Sequence, residues 1–188
     1  MKKVTGVFLT FLFMALLPVR VSAAEWIVDY DKSRLGFSGL QTGNAFTGIF
    51  ESWAAHISLD PEDLSTAAIN VEIDMSSVDT FDKQRNEALP GADWFDVSRF
   101  PKAIFKSARV THLDHNHYEA AGTLTIRGVS KQVTLPFRMD INGDEAIAIG
   151  GLTLVRSDYE VGQNMWSSGQ WVGLDVKVTF ELRASRGE

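Results

Sequence analysis

The sequence predicts an all-β protein, in which eight antiparallel strands close into an up-and-down barrel that carries one short helix. Three observations predict it. Apolar side chains recur at every second position in eight separate stretches, the period of a strand with one buried face. Turn signals separate those stretches at short, even intervals, which favours a meander. A single stretch carries helix signals, and closing eight strands on themselves removes the exposed edges that an open sheet would present. A sandwich of two sheets is the competing architecture.

Taken in chain order, Leu35, Phe37 and Gly39 mark one face of the first strand, and the second runs from Ala45 to Leu59. Ile69, Val71 and Ile73 belong to the third. Ala103 to Val110, Tyr118 to Ile126, and the alternating set Val133, Leu135, Phe137, Met139 and Ile141 form the next three. Ala146 to Leu154 and Val172 to Leu182 complete the eight, the last with Leu174, Val176, Val178 and Phe180 set against Asp175, Lys177 and Thr179. The separating turns are Thr42-Gly43-Asn44, Asp60-Pro61, His115-Asn116, Arg127-Gly128 and the strong hairpin signal Asn142-Gly143-Asp144. The helix is expected over about 80–89, capped by Asp79 or Thr80 and stopped by Pro90-Gly91.

Residues 1–23 read as a signal peptide. Lys2 and Lys3 precede an apolar run from Val4 to Leu17 that Pro18 closes, and small residues follow, so the mature chain is expected to begin at Ala24 or Glu25. The run is shorter than the roughly 20 residues a bilayer core requires. With no cysteine at the cut there is nothing to acylate. Residues 24–188 are then expected to be one barrel domain, exported and soluble.

Losing residues 1–23 removes Lys2, Lys3 and Arg20 but no acid, and moves the formal charge from −6 to −9. That counts against a nucleic-acid partner, which calls for a basic patch, and against polybasic docking on anionic headgroups. The chain has no cysteine, so disulfides, thiolate nucleophiles and cysteine-ligated metals are excluded.

Side chains of chemically capable types have plainer readings beside them. His112, His115 and His117, with Asp114 between, could be drawn as the metal site of a metal-assisted hydrolase, but they read as the exposed tip of a hairpin, where a closed zinc site would need four converging ligands. No Gly-x-Ser-x-Gly occurs and no histidine has a recognisable catalytic partner, so no catalytic residue is assigned. Gly128, Gly150 and Gly151 read as turn or strand-bend glycines, since no helix and no P-loop lysine follow. Trp94 and Phe95 suit a lid over one end of the barrel as well as plain loop packing. Trp166 and Trp171 suit contact with a membrane partner or a lipid head as well as a buried anchor.

Several segments, in order, resemble the YceI family of periplasmic polyisoprenoid-binding proteins. They are Trp26-Ile-Val-Asp29 with Ser33 and Phe37; Phe46-Thr-Gly-Ile-Phe50; Asp93-Trp-Phe-Asp-Val-Ser-Arg-Phe-Pro101 running into Ala103-Ile-Phe-Lys-Ser107; and Gly122-Thr-Leu-Thr-Ile-Arg-Gly-Val-Ser-Lys131 with Val133 and Pro136-Phe137. The chain departs from the family at Lys32 and Ala88, where a histidine is frequent. Gln41-Thr-Gly43, Arg156 and Val161-Gly-Gln-Asn-Met-Trp166 resemble the branch associated with cytochrome b561 membrane proteins.

The resemblance implies a lipocalin-like barrel in the periplasm. It also implies a bound isoprenoid lipid, a polyprenyl chain or an isoprenoid quinone, with no covalent cofactor, and a b561-type membrane protein as partner. Alternation alone leaves a filled core and a ligand cavity equally open; the resemblance favours the cavity. The candidate lining residues, each from the more apolar face of its strand, are Phe37, Phe50, Ile69, Val71, Phe105, Leu124, Leu135, Phe137 and Phe180. A bulge between Phe50 and Trp53 would reverse which side chains face inward there. A fatty-acid or fatty-amide carrier is the nearest rival, because a tube of aliphatic and aromatic walls separates branched from straight chains by only a few kcal/mol.

Overall fold

The alternating segments pair with their neighbours in chain order, and the last pairs back onto the first. In the computed structural model, which describes residues 24–187, the strands are β1 (Glu25–Val28), β2 (Arg34–Gln41), β3 (Asn44–Phe50), β4 (Trp53–Asp60), β5 (Asp63–Asp74), β6 (Val78–Asp79), β7 (Lys102–Asp114), β8 (His117–Ile126), β9 (Val129–Asn142), β10 (Glu145–Val155) and β11 (Asp175–Arg186), with helix α1 (Lys83–Ala88). The predicted leader lies outside the described residues. All pairings are antiparallel, and β11 joins β1 and β2 to close the wall.

Eleven strands fill eight places in the barrel. β1 and β2 lie end to end along one edge of β11, β3 and β4 run beside β2 and β1, and β5 and β6 beside β4 and β3. The other five places are held by β7 to β11, each a single strand. This corrects the expectation of one unbroken strand over 45–59 and adds β1, whose four residues are too few to display a period.

Each of the three breaks has a local cause. Between β1 and β2 the Asp29 carboxylate accepts the Lys32 N–H at 3.2 Å and Lys32 Nζ at 2.8 Å, and winds one 3-10 turn. Between β5 and β6, Asp74 accepts Ser76 N–H at 2.9 Å and winds another. Between β3 and β4, Glu51 N–H donates to the Ser77 carbonyl at 3.1 Å and Ser52 N–H to Ser77 Oγ at 3.0 Å. That last break is an interruption between two strands rather than a bulge, and it falls between Phe50 and Trp53, where a bulge would have had the same effect on the inward phase. Phe46 and Phe50 above it and Trp53, Ala55 and Ile57 below it all face inward.

The helix begins later than expected. Asp82, not Asp79 or Thr80, is its cap, accepting Arg85 N–H at 2.9 Å. Asp79 instead accepts Phe81 N–H at 2.7 Å and Asn86 Nδ2 at 2.8 Å, and Phe81 stands at φ +57°, outside any right-handed helix. The final strand also begins later, at Asp175, and Val172 makes only an isolated bridge to Gln41.

One end of the barrel is closed. Trp26 Nε1 donates to the Leu59 carbonyl at 2.9 Å, Leu59 and Ala120 are 1% and 0% exposed, and Val110, Tyr118, Met139 and Ala184 pack around them. On the wall nearby, β7 bulges between Ser107 and Arg109 opposite Gly122 of β8. A methyl group there would run into the Lys106 carbonyl and lie 2.8 Å from Ser107 Cα. Gly122→Ala should therefore destabilise the protein by about 1 to 3 kcal/mol through strand displacement. Thermal unfolding checks it, and an unchanged midpoint would mean that the bulge yields freely.

Candidate functional site

Above the closed end, where Trp26, Leu59, Met139 and Ala184 form the floor, the inward faces of the strands do not meet. They enclose a cavity of about 350 Å³, within the range of small-ligand sites. Small residues on the inward face make the room: Ala146 and Ala148 of β10 and Ala103 of β7 line the space, where bulkier side chains would fill the axis. Phe37, Phe50, Ile69, Val71, Leu135 and Phe180 are only half-buried although they point inward, because the surface they expose belongs to the cavity.

All nine of the residues proposed from alternation line this space. Phe37 on β2, Phe50 on β3, Ile69 and Val71 on β5, Leu135 on β9 and Phe180 on β11 form its walls. Phe105, Leu124 and Phe137 are buried at 6%, 7% and 7% exposure. Phe137 stacks on Tyr118 with ring centroids 5.6 Å apart, so it belongs as much to the floor as to the wall.

The roof comes from two loops. In the segment 89–101, Trp94 and Phe95 line the cavity, Trp94 with its ring 5.5 Å from that of Trp166 and Phe95 6.3 Å from Phe50. Arg127 fastens this segment by donating Nη1 to the carbonyls of Ala92 and Trp94 at 2.7 and 2.8 Å. The Asp93 carbonyl accepts the N–H groups of Gly162 and Gln163, and its carboxylate accepts Asn164 Nδ2 at 2.7 Å. Trp94 and Phe95 are thus strapped in place across two loops.

Arg156 organises the second loop. It is 5% exposed and donates to five carbonyls: Nε to Gly173 at 2.9 Å, Nη1 to Val161 at 2.8 Å and Gly162 at 3.3 Å, and Nη2 to Trp166 at 2.6 Å and Val172 at 2.7 Å. Its guanidinium also lies 5.3 Å from the Trp94 ring centroid. Burial draws its pKa down from the ordinary arginine value, and the carbonyl dipoles take the place of a carboxylate partner. With its donors directed to these carbonyls, Arg156 holds the roof rather than reaching for a ligand.

The mouth lies beside α1. Gln84 and Ala88 both line the cavity and stand exposed to solvent, and Arg85 and Leu89 follow them one residue on. Gln41, Gln84, Arg85 and Arg156 are the lining residues with an amide or a charge, and three of the four sit here. Arg85 Nη1 donates to Gln41 Oε1 at 3.1 Å and Nη2 to the Thr80 carbonyl at 3.3 Å, and its guanidinium lies 5.1 Å from the Phe46 ring centroid. Its Nε is buried with no hydrogen-bond partner. None of these mouth residues shows in strand periodicity, since the last residue of β2 and helix α1 supply them. A glutamine closing an apolar strand pattern at Gln41 is the trace the strand end leaves in sequence.

The histidines are not brought together. All three lie at the exposed tip of the β7–β8 hairpin. His112 Nε2 is 2.8 Å from the His115 carbonyl and its ring lies against Tyr118, His117 Nδ1 is 2.9 Å from Asp114 Oδ1, and His115 points to solvent. Among the described residues no group of three or more potential ligands converges on a point. Gly128 is a turn residue at φ +76°, and Gly150 and Gly151 lie inside β10. No helix among the described residues is long and apolar enough to cross a membrane.

With this geometry in view, the comparisons are consistent. The model of the YceI-like domain matches residues 26–184. A UPF0312 protein of Vibrio parahaemolyticus is 24% identical over 95% of this chain and 97% of its own. The crystal structure of Burkholderia cenocepacia BcnA superposes with a TM-score of 0.81 at 32% identity, covering 84% of this chain and 99% of that one. A Campylobacter jejuni YCEI protein gives 0.71 at 25%, covering 79% and 89%. A polyisoprenoid-binding domain from Saccharophagus degradans shares the fold, with a TM-score of 0.68 at 16% identity over 88% of this chain and 99% of that one.

Proposed function

The chain belongs to the YceI-like domain family, and from that premise we propose that it is a periplasmic carrier of a long isoprenoid lipid, a polyprenyl chain or an isoprenoid quinone, held tail-first in the barrel. The observation that carries the reading is the cavity, a space of about 350 Å³ walled by aliphatic and aromatic side chains, with three of its four lining residues that bear an amide or a charge at the mouth. Such a space fits an amphipathic ligand in one orientation. Each buried CH2 of the tail contributes about 0.8 kcal/mol, while a polar head deep in the barrel would lose its hydrogen bonds to water without replacement. The head then belongs beside Gln41, Gln84 and Arg85 at the mouth.

The polyisoprenoid-binding domain of Saccharophagus degradans, built on the same fold, supports the choice of ligand class. The family's character as a binding domain supports a carrier that makes and breaks no bond. A cytochrome b561-type membrane protein is the proposed partner in transfer, on the likeness of Gln41-Thr-Gly43, Arg156 and Val161 to Trp166 to that branch.

Native protein purified without detergent should release an isoprenoid on organic extraction, seen in mass spectrometry as ions spaced by one five-carbon unit. A straight-chain acid or amide in the extract would transfer the reading to a fatty-chain carrier. Protein that is always empty, and that fails to take up added polyprenol or quinone, would end both.

A further inference from the structure

Large apolar side chains stand exposed at the end of the barrel where the cavity opens. Leu40 is 51% exposed, Phe81 63%, Met165 63% and Trp171 47%. They come from three segments: the end of β2, the lead into α1, and the loop before β11. Those segments are tied to one another, since Thr42 N–H donates to the Trp171 carbonyl and Gly173 N–H to the Leu40 carbonyl, both at 2.8 Å, and Arg85 of α1 reaches Gln41 at 3.1 Å. At the end of β2 and in the loop before β11 the neighbouring side chains, Gln41, Trp166 and Val172, face the cavity. Phe81 stands three residues before Gln84 and four before Arg85, which line the mouth from α1, so the exposed set forms a rim around the mouth.

Phe81 is the most telling member. It stands at φ +57°, a conformation that glycine and asparagine adopt readily and a bulky aromatic rarely does. Folding gains no compensating burial from a ring that is mostly in water. A strained backbone that presents an apolar side chain outward points to something outside the protein.

We propose that this rim docks the protein on a lipid bilayer, with the mouth at the boundary between headgroups and acyl chains. The continuity of rim and cavity favours a bilayer over other occupants, because an apolar tail leaving the mouth would then pass from one apolar phase into another without crossing water. Tryptophan at the rim suits the headgroup boundary, where its ring is half apolar and half wet. Attachment is by apolar insertion rather than charge, for the chain is net acidic at −6, and Lys83 and Glu87 of opposite sign flank the rim on α1, 3.8 Å apart. The proposal holds whether the tail is branched or straight.

The test is co-sedimentation with phosphatidylcholine vesicles free of protein, at low and at raised salt. The protein should bind at both. Phe81→Asn should lower the partition coefficient about tenfold, the loss expected for one large side chain no longer buried, while the unfolding temperature holds or rises because asparagine accepts the left-handed backbone. Adding Met165→Ser and Trp171→Ser should weaken binding further. Ile149→Ser, which removes an exposed apolar side chain from the outer wall, should leave it unchanged. Absence of vesicle binding, equal loss in Ile149→Ser, or binding that raised salt abolishes would overturn the proposal. Binding only to vesicles that carry a membrane protein would overturn it in favour of a protein partner. Lipid retention, read on the same variants, stays as in the unaltered protein, so an empty cavity and a failed docking surface are told apart.

Discussion

Replacing Arg156 with methionine should destabilise the ligand-free protein by about 4 kcal/mol or more, the largest loss expected from any single substitution in the roof. The guanidinium serves the carbonyls of Val161, Gly162, Trp166, Val172 and Gly173. A buried polar group left without a partner costs about 1 to 3 kcal/mol, and methionine removes every donor at once. Water can enter to satisfy some carbonyls at this end of the barrel, which keeps the total below the simple sum. Lysine is expected to recover little, because its three donors radiate from one point and cannot reproduce a planar fork. Gly162 is matched to the same arrangement. It stands at φ +82°, and a Cβ there would lie 2.9 Å from Arg156 Cζ. Denaturant unfolding of delipidated protein is the measurement, with limited proteolysis of the loop 160–174 as its local counterpart. A loss below about 1 kcal/mol with no new cleavage would mean that the loop holds itself together without Arg156.

The strands were legible because a closed barrel obliges every strand to keep one inward face. Val133, Leu135, Phe137, Met139 and Ile141 show this without ambiguity, and their register against β8 and β10 follows from it. Even the break after Phe50 left a mark: Phe46 and Phe50 fall on even positions and Trp53, Ala55 and Ile57 on odd ones, so no unbroken strand could bury all five. The paired breaks at Asp29 and Asp74 were less visible, for an aspartate two or three residues before the N–H that it accepts is written in the same letters as a solvated acid. The helix start was displaced for a related reason. Asp79, Thr80 and Asp82 are all good caps by type, and only the positive φ of Phe81 decides among them.

The existence of the cavity was not legible from alternation, since a filled barrel and a hollow one alternate alike. What distinguishes them is volume on the inward face, and there Ala103, Ala146 and Ala148 stand where the other strands carry Phe, Leu and Ile. The mouth was invisible for another reason. Gln41, Gln84 and Arg85 converge from a strand end and a helix, and Val161 and Trp166 from a loop folded around one arginine. Convergence of that kind is set by long-range hydrogen bonds, which leave no period in sequence.

Val178→Trp should abolish retention of a long isoprenoid while leaving the unfolding temperature of the empty protein nearly unchanged. Val178 faces the cavity from β11 with Phe37 and Leu152 as its strand partners, and it is only half-buried there. An indole at this position extends into open space, so the packing strain that accompanies an enlarged side chain in a close-packed core should be small. The same space is where the tail must lie. Excluding a single isoprene unit removes five carbons from burial, about 4 kcal/mol at 0.8 kcal/mol for each CH2, or roughly a thousandfold in affinity. Phe137→Trp supplies the contrast. Phe137 is 7% exposed and stacked on Tyr118, so added bulk there should strain the floor at a cost of about 1 to 3 kcal/mol. The two variants are compared by thermal unfolding of delipidated protein and by mass spectrometry of the lipid retained after exposure to a polyprenol. If Val178→Trp unfolds as early as Phe137→Trp, the axis of the barrel is packed solid in solution. If it keeps both its stability and its lipid, the tail does not pass the level of residue 178.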